Sequence, residues 1–155
     1  MTATDALKSY DLVWLLHLIG DVHQPLHAAT RVSATEPDGD HAGSLVKLCN
    51  LPCRDELRGF WNNILGTEQA VTAAERLARS LPTAPAAQAG VLDEAQWVQE
   101  SFALARSHVY KTPIGVGAGP FTITRAYRTA ALALAKKQIA LAGARLATVL
   151  NRELE

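Results

Sequence analysis

"HLIGDVHQPLH", His17–His27, sets three histidines and an aspartate into a stretch that otherwise reads as apolar helix running to a proline. Just upstream, "TDALKSYDLVWLLHLIGDVH" opens on capping residues and continues through Leu12, Leu15, Leu16 and Ile19, which predicts a helix. Pro25 disfavours helical backbone in the residue before it, so this helix must stop near Gln24. His17 and Asp21 lie four positions apart, about 40° around a helix axis, and both reach one point on the same side. An imidazole and a carboxylate converging at that spacing suit a divalent ion such as zinc. His23, two positions beyond Asp21, points away. His27 lies past Pro25, where the chain has left the helix and can fold back to a second point nearby. The competing reading is a set of satisfied core residues; four such groups in eleven residues favour a site.

Outward from this motif the pattern stays helical. Thr30–Gly43 is a polar loop containing "EPDGDHAG", with turn chemistry at Pro37, Asp38 and Gly39, and "SLVKLC" reads as a short strand. Arg54–Leu65 places Leu57, Phe60, Trp61, Ile64 and Leu65 at helical spacing, with Gly66 as C-terminal cap. Thr67 caps a further helix to about Ser80, followed by the loop "LPTAPAAQAG". Leu92–Tyr110 carries Trp97, Phe102, Leu104, Ala105 and Val109 on one side. "KTPIGVGAGP" has no Gly-Lys-Ser/Thr sequence after it, so it is not a phosphate loop and reads as a flexible connection. The last helix, about Thr122–Asn151, turns Tyr127, Ala131, Leu134, Ala142, Leu146 and Val149 to the core. Without repeats or a separable linker, residues 1–155 read as a single all-α domain.

Composition narrows the function classes. Lys plus Arg equals Asp plus Glu at 15 each, so no global basic field gathers nucleic acid, and affinity for a polyanion must come from a local site. Leu12–Ile19 is too short to span a bilayer, and Ala130–Leu150 is interrupted by Lys136, Lys137 and Arg145, so no membrane role is expected. "TATDALKSYD" after Met1 has no positive start leading into an apolar run and is not a signal peptide. Cys49 and Cys53, four apart in "CNLPC", do not match the two-residue redox spacing, and two thiols do not complete a zinc site. They are expected as a local disulfide or as two free thiols.

"HLIGDVHQPLH" resembles the signature of the S-one/P-one family of zinc-dependent single-strand nucleases, related in fold to the bacterial zinc phospholipases C. "DGDHAGS" is similar to the family's glycine-rich loop, and "LRGFWNNILG" falls where the family has a second ligand helix. "WVQESFALARSHVY" and "QIALAGARLATVLN" resemble its C-terminal helices in the same order, so the likeness covers nearly the whole chain. The resemblance implies a multi-helix fold of the phospholipase C and P-one nuclease type and a cluster of three zinc ions. It also implies cleavage of phosphodiester bonds in single-stranded DNA and RNA, removal of 3′-phosphates from nucleotides, and a secreted or periplasmic location. By that resemblance His17 binds the first zinc, Asp21 bridges it to a close partner and is the catalytic residue least replaceable, and His27 binds the remaining ion.

The chain departs from the family pattern in two ways. The family draws further ligands from an N-terminal half, whereas sixteen residues precede His17 here and none is histidine, so an N-terminally truncated domain is expected. Where the ligand helix has His and, four residues later, Asp, this chain has Arg58 and Asn62, and Ser44 replaces a loop Asn. Arginine has no lone pair to donate. A guanidinium about 4 Å from a dication costs roughly 8 kcal/mol at an effective dielectric of about 20. Arg58 is therefore read either as a cation that contacts phosphate directly or as a replacement tolerated after loss of function. Two functional readings follow: an impaired zinc nuclease holding fewer than three zincs, or a non-catalytic scaffold with at most one weak metal site. Partners expected are single-stranded nucleic acid or nucleotides, the missing half, or another copy through an exposed apolar patch around Trp14.

Overall fold

The computed structural model describes residues 4–34 and 36–154, the side chain of Leu154 apart. Helix α1, Asp5–Val22, starts where Thr4 takes an extended conformation and its hydroxyl accepts from the Leu7 amide at 3.3 Å. The helix ends as expected ahead of Pro25: Gln24 is extended, and a single 3-10 turn, Pro25–Ala28, follows. The Gln24 side-chain oxygen accepts from the Leu26 amide at 2.6 Å and so caps that turn.

Strands β1 (Lys47–Leu48) and β2 (Asp55–Glu56) pair antiparallel, Lys47 opposite Glu56 and Leu48 opposite Asp55. The Cys49–Cys53 disulfide lies in the connection between them. β2 takes up residues that the helical pattern had claimed, so α2 runs only over Leu57–Asn62 rather than from Arg54 to Leu65. Gly66, expected as the cap, lies in the turn beyond with φ of 113°. Helix α3 is Val71–Arg79, beginning after Ala70 rather than Thr67. A one-turn helix α4, Ala86–Ala89, forms inside the segment read as loop. Helix α5, Glu94–Leu104, is capped by the Asp93 carboxylate, which accepts from the Ala95 and Gln96 amides, and continues into a π-helical turn, Ala105–Val109. Helix α6 spans Arg125–Leu154. The described residues are thus all-α but for one two-residue ribbon.

Two apolar clusters hold these elements. The larger joins Leu26, Val46, Leu48 and Leu57 to Trp61 and to Tyr127 and Ala131 of α6. The smaller packs Ile19 of α1 against Trp97 and Ala142, with Leu146 and Val149 at its edge. The α6 face expected inside is therefore the face that packs. Arg145, which the sequence presents as a charge breaking an apolar run, lies wholly buried among these side chains.

Residues 111–120 are not the flexible connection their glycines suggest. The Arg31 guanidinium donates to the carbonyls of Gly115 and Gly117 at 2.7 and 2.9 Å, and the Lys47 amide donates to Ala118 O at 2.7 Å. Gly119, with φ of 88°, approaches so closely that a Cβ there would stand 2.5 Å from the Lys47 carbonyl. The loop behaves as an extension of the ribbon, because its carbonyls have fixed donors.

Helix α1 buries little for its apolar content. Only Ile19 is fully buried, while Val13, Trp14 and Leu18 are 64%, 47% and 55% exposed.

Candidate functional site

The last turns of α1, the 3-10 turn and α2 enclose a cleft of about 560 Å³, lined on one wall by His17, Asp21 and His27 and on another by Arg58 and Asn62. Asp21 is its centre. His17 Nε2 lies 3.3 Å from Asp21 Oδ2, as the four-residue helical spacing predicts, and His27 Nδ1 lies 3.2 Å from Oδ1. Each carboxylate oxygen thus faces one imidazole, from opposite sides of Pro25. The three residues differ in exposure: the His17 side chain is 60% exposed, Asp21 42% and His27 17%. His27 Nε2 is buried and has no hydrogen-bond partner among the described residues.

His23 serves a different purpose. Its Nδ1 lies 2.7 Å from the Ile19 carbonyl, which can only accept, so the proton sits there. Its Nε2 accepts from Arg145 Nη1 at 2.8 Å. Burial holds the His23 pKa below the ordinary histidine value; the Ile19 bond opposes this, and Arg145 adds to the lowering. The neutral ring is what a neighbouring guanidinium requires. Arg145 itself donates from Nε to the Gln88 carbonyl at 3.1 Å and spreads over the Trp97 ring, 5.2 Å from its centroid. Its Nη2 forms a 2.8 Å ion pair with Glu100 Oε2, off the hydrogen-bonding direction. The Ser101 hydroxyl bonds the Val22 carbonyl, so α5 and α6 together fix the end of α1 from which Asp21 projects.

The opposite wall is set by the loop containing "DGDHAGS". Asp40 is buried, and its Oδ1 accepts from the Arg31 and Gly43 amides and the Tyr110 hydroxyl, at 3.0, 3.2 and 3.0 Å. Gly43, with φ of 84°, then brings its carbonyl to 3.4 Å from the Arg58 amide. A Cβ on Gly43 would stand 3.2 Å from Leu26, so the loop seats the 3-10 turn and α2 together. Behind α2, Trp61 donates to the Tyr127 hydroxyl at 3.2 Å, which donates in turn to the Val109 carbonyl at 2.8 Å; burial pushes the Tyr127 pKa up to about 12.

Arg58 and Asn62 share the cleft-facing side of α2. The Gln24 amide donates to Asn62 Oδ1 at 2.8 Å, tying the turn after α1 to α2. The Arg58 guanidinium lines the cleft without a hydrogen-bond or ion-pair partner among the described residues.

The sequence model of the S1/P1 Nuclease family matches residues 2–155. This chain belongs to the S1/P1 nuclease family. No curated protein and no solved structure matches it. Within this family member, the residues that sequence spacing brought together are adjacent, and Gln24, Asp40 and Arg145 are the supporting residues that spacing did not single out. Gln24 carried a signal, since a polar side chain immediately before an N1 proline is placed to cap. Arg145 carried none, because its partners come from His23, just past α1, and from residues 88–100. Among the described residues no helix is long and apolar enough to cross a membrane.

Proposed function

We propose that the Asp21 cleft is a zinc-dependent phosphoester site for single-stranded nucleic acid or nucleotides, and that turnover by this chain is impaired. In this reading residues 1–155 form one zinc-nuclease-like domain, and the protein acts outside the cytoplasm. The observation that carries the proposal is the arrangement around Asp21, with one histidine nitrogen on each carboxylate oxygen at 3.3 and 3.2 Å.

Two donors of a tetrahedral zinc, each bonded at about 2.05 Å, stand about 3.3 Å apart. His17 Nε2 and Asp21 Oδ2 have that separation and the right donor chemistry. His27 has the second mark of a ligand: its Nδ1 lies 3.2 Å from Asp21 Oδ1, off the hydrogen-bonding direction, and among the described residues its buried Nε2 has no hydrogen-bond partner. The donor count is what falls short. Among the described residues no group of three or more His, Cys, Asp or Glu is placed to hold one ion, whereas catalytic zinc keeps three protein ligands. The wall of Arg58 and Asn62 does not fit zinc, for the guanidinium has no lone pair and repels a dication.

Zinc, when bound, supplies a water of lowered pKa and polarises phosphoryl oxygens. The chain's own contribution is Asp21, which orients both imidazoles and offers Oδ2 beside His17, and the cleft that admits a nucleotide-sized group. The same short donor count favours a second reading, a non-catalytic scaffold with at most one weak metal site.

Metal analysis after equilibrium dialysis against zinc, together with single-stranded DNA cleavage, tests the proposal. The expected result is sub-stoichiometric to roughly two zincs per chain, with slow cleavage. Asp21→Ala is expected to abolish both. Zinc uptake unchanged in Asp21→Ala overturns the site; zinc bound without detectable cleavage selects the scaffold; three tightly held zincs with brisk hydrolysis overturns the impairment.

A further inference from the structure

Two side chains of α2 give that wall of the cleft its chemistry. Arg58 and Asn62 are four residues apart on α2 and line the same cleft. Arg58 offers five N–H donors in a planar fork and no acceptor, and among the described residues none of those donors is taken. The orientation of Asn62 follows from a chain of hydrogen bonds that starts at backbone. The Leu26 amide can only donate, so the Gln24 atom 2.6 Å from it is the oxygen. The other end of Gln24 is therefore the NH₂ group, and the Asn62 atom 2.8 Å from it is Oδ1. Asn62 Oδ1 thereby accepts from Gln24, and among the described residues the Asn62 Nδ2 donors have no partner. A wall built of a guanidinium fork and an amide NH₂, with no carboxylate paired to either, holds an anion and refuses a cation.

We propose that Arg58 and Asn62 form a phosphate-binding edge of the cleft that works without metal, Arg58 supplying the charge and Asn62 Nδ2 a second donor. The proposal rests on the reading of the cleft as a phosphoester site and names the group that α2 holds there. A phosphate dianion or phosphodiester would lie along α2, while the Asp21 carboxylate keeps it from the far wall by repulsion.

Titration of inorganic phosphate into EDTA-treated, dialysed protein by calorimetry tests this separately from zinc. Wild type is expected to bind saturably, Arg58→Ala to weaken binding by about tenfold or more, and Arg58→Lys, a point charge without the fork, to fall between. Asn62→Asp, which replaces the free donors by a negative acceptor, is expected to weaken binding as well. Hexathymidylate displaces the phosphate where the site takes a strand, and leaves it bound where the site takes free phosphate or a monoester. Far-ultraviolet circular dichroism checks folding, and if Arg58→Ala does not fold, Arg58→Lys and Asn62→Asp decide. Absence of saturable binding in wild type, or affinities within twofold of it in the variants, overturns the proposal, while zinc uptake that depends on Asp21 stands or falls by its own measurement. A complementary gain is expected in the double variant Arg58→His/Asn62→Asp, which should take up more zinc than wild type; equal uptake would show that this wall is not the place where donors and ligands exchange.

Discussion

Arg145→Met is the substitution that most directly tests how the fold supports the site. Methionine keeps much of the apolar stem that lies in the smaller cluster and removes only the guanidinium. Three partners lose it: His23 Nε2 at 2.8 Å, the Gln88 carbonyl at 3.1 Å and the Glu100 carboxylate at 2.8 Å. Gln88 is exposed and the Glu100 side chain is 29% exposed, so water replaces much of what they lose. His23, 3% exposed, cannot rehydrate, and an unsatisfied buried acceptor costs about 1–3 kcal/mol. Adding roughly 1 kcal/mol for each of the other two contacts, and allowing for the desolvation that Arg145 no longer bears, gives a net loss of about 3 kcal/mol. For a chain of this length that corresponds to a fall in Tm of about 6–12 °C. Urea unfolding followed by tryptophan fluorescence reads the loss directly, since Trp97 lies under the guanidinium. Destabilisation under about 1 kcal/mol would refute the reasoning, for it would mean that the buried charge costs as much as its contacts return.

Two further outcomes are expected. Because the folded state holds His23 below the ordinary value of 6.5, the unfolded chain binds this proton more readily, so stability is retained above about pH 6.5 and lost as pH falls below it. With Arg145 and Glu100 facing the ring, His23→Gln should remove up to about 1.4 kcal/mol per pH unit of that slope in urea unfolding at pH 7.5, 6.5 and 5.5; an unchanged slope counts against it. The exposed Val13, Trp14 and Leu18 of α1 predict self-association in sedimentation at high concentration, reduced by Val13→Lys with Leu18→Lys; a clean wild-type monomer counts against it.

Local patterns that one element imposes on itself were legible. The cap at Thr4, the stop before Pro25 and the convergence of His17 and Asp21 all follow from helix geometry and proline sterics. Boundaries shifted where a neighbour competed: Asp55 and Glu56 left the α2 pattern for a ribbon, and the glycine loop 111–120 was tied down by Arg31. The meaning of a charge depended on its surroundings. Arg58 and Arg145 look alike in a helical pattern, yet one lines the cleft without a partner among the described residues and the other is wholly buried among His23, Glu100 and Trp97.

The sequence by itself determined the all-α class, the family and the placement of His17 and Asp21 on one side of a helix, because helical periodicity and a compact motif act over a few residues. Only the tertiary structure decided that His27 folds back onto the other oxygen of Asp21, that Gln24 joins the end of α1 to α2, and that Arg58 and Asn62 line the same cleft as Asp21. Those relations join residues as far apart in sequence as Asp21 and Asn62, and their energies depend on burial and on which partners remain for each polar group, quantities that exist only once the chain has packed.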